Sequence, residues 1–111
     1  MKLFDKTNPT KTININGKIL GEVVGGNGKT TKMFEGATDA EIRQYAEGIL
    51  GKPLTAHPTA QGVWNGELNG TKVNLRNVSS SNTGAKWTID VINETKIKPL
   101  VGQNGIEIKF K

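Results

Sequence analysis

Residues 72–92 read KVNLRNVSSSNTGAKWTIDVI, two alternating segments on either side of a Ser/Asn/Thr/Gly loop. Strand side chains point alternately to opposite faces, so Val73 and Leu75, then Trp87, Ile89 and Val91, mark one buried face. Lys72, Asn74 and Arg76, then Lys86, Thr88 and Asp90, fall on the other face. If the two strands pair as neighbours, these polar groups converge beside Ser79, Ser80, Ser81, Asn82, Thr83 and Gly84. Fixed positive charge, hydroxyls and loop N–H donors in one place suit a phosphate. The same alternation also describes a half-covered sheet whose polar face meets water and does nothing more.

The flanking sequence extends this sheet. Residues 63–68 and 71–78 are joined by Asn69-Gly70, a dipeptide that supplies the positive φ angles of a tight hairpin turn. Ile106-Glu107-Ile108-Lys109-Phe110 alternates throughout, and residues 93–105, with Pro99, Gly102 and Gly105, read as a loop before it. Upstream, Asn16-Gly17 predicts a hairpin within residues 11–24. Thr38-Asp39-Ala40-Glu41 is a capping box. Ile42, Tyr45, Ala46, Ile49 and Leu50 follow at helical spacing, and Gly51 and Pro53 end the helix. The expected class is therefore α+β: an N-terminal helical and hairpin segment packed on a four-stranded, or slightly larger, antiparallel sheet. Trp64 and Trp87 are expected in its core.

The chain of 111 residues makes one domain, and its 34% apolar and 5% aromatic content limits the core to a single layer between sheet and helix. There is no cysteine, and His57 is the only histidine, so disulfides, thiol chemistry and multi-histidine metal sites are excluded. The dispersed acids predict neither a metal nor any other cofactor. No apolar run is long enough to span a bilayer, and the first residues do not begin a signal peptide. A formal charge of +5 favours polyanionic partners. Arg43 and Arg76 are the only arginines among lysines, so Arg76 in a polar cluster suggests a need for a planar, bidentate donor. Gly28-Lys29-Thr30 imitates the end of a phosphate-binding P-loop, but Val23 stands where its first glycine is required. An exposed glycine-rich loop bearing Lys29 and Lys32 is expected there instead.

NLRNVSSS at 74–81 and TGAKWTID at 83–90 resemble the C-terminal toxin domains of contact-dependent growth inhibition proteins and related polymorphic bacterial toxins. Within that group the chain is similar to ribonuclease toxins of the barnase, EndoU, colicin and RelE type of fold. The likeness extends more loosely to residues 37–50 and to the closing IEIKF. It implies a monomeric domain, the tail of a much larger secreted effector, that cleaves tRNA in the cytoplasm of a target bacterium. It also implies a cognate immunity protein, which the basic site leads us to expect to be acidic and seated on the polar sheet face.

Metal-independent RNA cleavage needs a base for the 2′-OH, groups that stabilise charge on the phosphate, and an acid for the leaving oxygen. Arg76 is the expected phosphate clamp, with Thr88, Ser79, Ser80 and Ser81 as hydrogen-bonding or proton-relay groups and Lys86 as added charge. His57 is either half of an acid/base pair or a loop histidine without a role. Lys72, Asn74, Asn82, Lys29 and Lys32 are expected to bind RNA. The alternatives are a non-catalytic basic module that binds nucleic acid or protein, and a DNA-cleaving toxin of the same delivery class.

Overall fold

Two asparagine–glycine pairs turn the chain as their residue types require. Asn16 and Asn69 both have φ of 52°, and Gly17 and Gly70 both have φ of 80°, the left-handed pair of a type I′ turn. The first joins β1 (Thr12–Ile15) to β2 (Lys18–Gly21). The second joins two later strands of the main sheet. The computed structural model describes residues 12–23, 31–77, 86–92, 99 and 105–111.

After β2 come β3 (Thr31–Phe34) and the helix α1 (Asp39–Leu50). The predicted capping box is present: the Glu41 N–H donates to Thr38 Oγ1 at 3.2 Å, and the Thr38 N–H donates to Glu41 Oε1 at 2.9 Å. Gly51, with φ of 92°, ends the helix in the left-handed region, and its N–H donates to the Glu47 carbonyl. Lys18 ties the first hairpin to the start of α1, pairing with Glu41 Oε1 at 2.7 Å and donating to the Gly36 carbonyl at 2.6 Å. The hydrogen bond from Lys18, with that from the Thr38 backbone, holds the Glu41 carboxyl below its ordinary pKa.

The remaining strands are β4 (Thr55–Ala56), β5 (Val63–Leu68), β6 (Thr71–Arg76), β7 (Trp87–Ile92) and β8 (Gly105–Phe110). They form a six-stranded sheet in the order β3-β8-β7-β6-β5-β4. The four strands expected from alternation are its centre, β5 to β8, consecutive and antiparallel. Two edges are added: β4 pairs antiparallel with β5, whereas β3 pairs parallel with β8. The class is α+β, but the sheet is wider than four strands and not wholly antiparallel. Nor is the N-terminal part helical in the main: three strands precede the one helix among the described residues. A four-residue edge strand paired to a segment more than seventy residues away has no turn signal to announce it.

α1 lies on one face of this sheet, mainly over β6, and buries Ile42, Ala46 and Leu50. Beneath it are Val73, Leu75, Ile89, Val91, Ile106, Ile108 and Phe110, and the hairpin adds Ile13, Ile15 and Leu20. Phe110 anchors one end, with Phe34 at 6.2 Å and Tyr45 edge-on at 6.4 Å between ring centroids. Burial pushes the Tyr45 phenol pKa upward. Trp64 and Trp87 pack against the cluster but remain only partly buried.

The last turn of α1 reaches the sheet because Gly66 leaves room for it. A Cβ at Gly66 would collide with a methyl of Leu50 and touch Leu54. Gly66→Ala should therefore cost about 1–3 kcal/mol in overpacking strain. Gly48→Ala, at an exposed helical position with nothing within 4 Å of the added carbon, should instead stabilise by about 0.5–1 kcal/mol. Urea denaturation of the two variants reads both signs. Equal effects would mean that Leu50 does not seat on Gly66.

Candidate functional site

On the sheet face turned away from α1, two neighbouring rows run across β6, β7 and β8. Arg76, Thr88 and Lys109 are cross-strand partners in one row; Asn74, Asp90 and Glu107 are partners in the next. Asp90 and Glu107 thus stand directly opposite each other, an arrangement that repels unless cations neutralise it. Arg76 supplies one cation: its Nε donates to Asp90 Oδ2 at 2.8 Å and an Nη to Asp90 Oδ1 at 3.3 Å. The same guanidinium lies 3.7 Å from Glu107 Oε1. Lys109 supplies the other, with Nζ at 3.6 Å from Glu107 Oε2 and donating to Thr88 Oγ1 at 3.3 Å.

The environment is part dry and part open. Thr88 and Lys109 are 1% and 5% exposed, and Met33, beside Lys109 in the parallel pair, is fully buried. This end of the face is therefore not the open surface that alternation predicts. Toward the middle, the Arg76 and Glu107 side chains keep 26% and 38% of their exposure. The hydrogen bond to Asp90 raises the Arg76 pKa further, outweighing the opposite effect of its partial burial. The cation is permanently charged, and its planar fork is oriented before any ligand arrives.

The predicted residues are distributed unevenly around this cluster. Arg76, Asn74 and Thr88 are in it, although Thr88 is sealed against Lys109 and is not presented to solvent. Lys72 is exposed at the far end of β6, opposite Ile92 and Glu67. Lys86 does not converge on Arg76 as strand parity predicts: it precedes β7, and its Nζ donates to the Ala37 carbonyl beside the start of α1 at 3.2 Å. Lys32 is not on an exposed loop. It belongs to β3, is 6% exposed and lies 3.6 Å from Glu22. Lys29, Ser79, Ser80, Ser81 and Asn82 lie outside the described residues.

His57 continues the Arg76 row at backbone level. Its N–H donates to the Val63 carbonyl, and Val63 is the partner of Arg76, so two strand spacings, roughly 10 Å, separate it from the arginine. Its Nδ1 accepts from the backbone N–H groups of Thr59 at 3.1 Å and Ala60 at 2.9 Å. The hydrogen of the neutral ring is therefore on Nε2, and the ring caps its own turn. In that state it can donate one hydrogen bond but has no base to offer.

Sequence reasoning missed Glu107 and Lys109. The alternation of IEIKF placed both on the outer face, but nothing in the residue types showed that β8 would pair beside β7 and bring them to Asp90. Among the described residues no group of three His, Asp or Glu side chains could hold a metal ion, and no helix is long and apolar enough to cross a membrane. No protein-family model, no curated protein and no solved structure matches this chain.

Either end of the cluster should be costly to break. Asp90→Ala leaves Arg76 partly buried with only the longer contact to Glu107 and should cost about 1–3 kcal/mol. Lys109→Met removes one of the two cations that face the opposed carboxylates and takes the Lys109 donor from the buried Thr88 hydroxyl, so it should also destabilise, by about 1–3 kcal/mol. Chemical denaturation checks both; unchanged or raised stability for Lys109→Met would mean that Arg76 alone suffices to neutralise Asp90 and Glu107.

Proposed function

We propose that this protein is a metal-independent RNA endonuclease of the bacterial toxin type, acting on tRNA and held in check by an acidic immunity protein. The observation that supports it most is the Arg76–Asp90–Glu107–Lys109 cluster, which puts a pre-oriented guanidinium and a half-exposed carboxylate in contact on a rigid sheet. The resemblance of residues 74–81 and 83–90 to contact-dependent inhibition toxins supplies the biological setting. Delivery by a larger effector into the cytoplasm of a target cell belongs to the same reading, and so does a domain that is monomeric apart from its inhibitor.

In this reading Arg76 binds the non-bridging phosphate oxygens. Two donors already serve Asp90, but a guanidinium carries five, so the clamp does not have to break its own support to bind. Glu107, the most exposed carboxylate of the cluster, takes the proton of the 2′-OH as the 2′ oxygen attacks phosphorus. The P–O5′ bond breaks, and the departing oxygen takes a proton from solvent. Asp90 and Lys109 hold Arg76 and Glu107 in place; Asn74 and Lys72 bind the neighbouring backbone. His57 has the place of a hydrogen-bond donor at the edge of the row.

The test is incubation of the purified protein with total RNA in EDTA. Wild type should give discrete fragments. Arg76→Ala and Glu107→Gln should each lose at least about a hundredfold in rate while remaining folded, and Arg76→Lys should recover little. Near wild-type cleavage by Arg76→Ala would reject the clamp. RNA that is shifted in mobility but intact would favour a non-catalytic binding module, and metal-dependent degradation of DNA a DNA-cleaving toxin.

A further inference from the structure

Across the sheet from the charged cluster, a cleft of about 320 Å³ opens between the first turns of α1 and the strands β5, β6 and β7. Leu75 is buried at its floor, and the exposed Asp39, Ala40 and Arg43 stand at its rim. Its walls are Trp64 and Trp87, whose ring centroids lie 5.6 Å apart at an angle of 42°. The Arg43 guanidinium carbon sits 5.7 Å above the Trp64 ring. Asp39 Oδ1 accepts from Trp87 Nε1 at 2.8 Å, which fixes both the indole and the carboxylate.

We infer that this cleft is a binding site for a single nucleobase, guanine before the others. The volume is at the lower end for small-molecule sites and suits one base with its sugar rather than a larger ligand. Two indole faces and a guanidinium plane are stacking surfaces for a planar ring. The carboxylate of Asp39 sets the preference, because an ionised carboxylate only accepts hydrogen bonds, and the Watson–Crick edge of guanine presents two adjacent N–H donors. Arg43 and Lys86, whose Nζ is on the Ala37 carbonyl just before the helix, place positive charge beside the rim for the attached phosphate. The inference does not depend on the RNA-cleavage reading, since the cleft and the Arg76 cluster lie on opposite faces of the sheet; if that reading holds, the cleft is a base subsite of the same substrate.

Trp64 and Trp87 are the only tryptophans of the chain, so intrinsic fluorescence reports on this cleft alone. Guanosine, adenosine and uridine 5′-monophosphates, and a guanine-containing RNA trinucleotide, are titrated into the wild-type protein with excitation above nucleobase absorption. The guanosine nucleotide should quench saturably and bind more tightly than the other two. Tighter binding of the trinucleotide points to RNA as the source of the base, equal binding to a free nucleotide. Arg43→Ala and Asp39→Asn, both at exposed positions, should weaken binding several-fold, and Trp64→Leu, read through Trp87, by about five- to tenfold. Absence of saturable quenching, or binding unaltered by Arg43→Ala and Asp39→Asn, overturns the inference. Cleavage of RNA without such binding leaves the proposed function standing, and binding without cleavage leaves the cleft.

Discussion

Asp90 and Glu107 face each other across β7 and β8, and the polar side of the sheet is organised around that repulsion. Two like charges at a cross-strand position cannot be left alone in a partly dry setting. Arg76 from β6 and Lys109 from β8 neutralise them, and the Thr88 hydroxyl accepts the remaining bond from Lys109. Because three adjacent strands all contribute to it, the cluster exists only in the native register. A slip of one residue would turn all of these groups toward the apolar layer under α1. The charges thus specify the pairing of β6, β7 and β8 even where they add little net stability.

The elements legible in the sequence were those with a local cause. Both Asn-Gly turns, the Thr38–Glu41 capping box and the Gly51 stop act within a few residues, and each is present. The alternation of residues 72–76 and 87–91 likewise identified the buried face correctly. What was hidden depends on chain-distant partners. β3 becomes a strand only because the end of β8 offers it an edge, and Lys32 is buried there with Glu22 rather than free on a loop. Parity placed Lys86 with Arg76, but the residue lies just before the ladder of β7, and a carbonyl near the helix takes its ammonium.

The candidate site was half legible for the same reason. Arg76 stood out because it is an arginine where lysine is the rule, and its orientation by two carboxylates is what a bidentate donor requires. Glu107 and Lys109 carried no such mark. Their importance arises from the strand order, which sets β8 rather than a solvent edge beside β7. The two tryptophans show the converse. Their parity with apolar neighbours correctly aimed them at the helix side of the sheet, yet the gap above Leu75 leaves them lining a cleft instead of filling the core.

Central to the proposed function is one chemical step, in which the Arg76–Glu107 pair drives attack of a 2′ oxygen on its own phosphodiester. The most direct measurement is the end-group chemistry of RNA cut by the purified protein in EDTA, read by mass spectrometry of the fragments. Fragments ending in a 2′,3′-cyclic phosphate, with 5′-hydroxyl groups on their downstream neighbours, are the predicted result. Fragments with 5′-phosphate ends, or RNA that stays intact at high protein concentration, would contradict it.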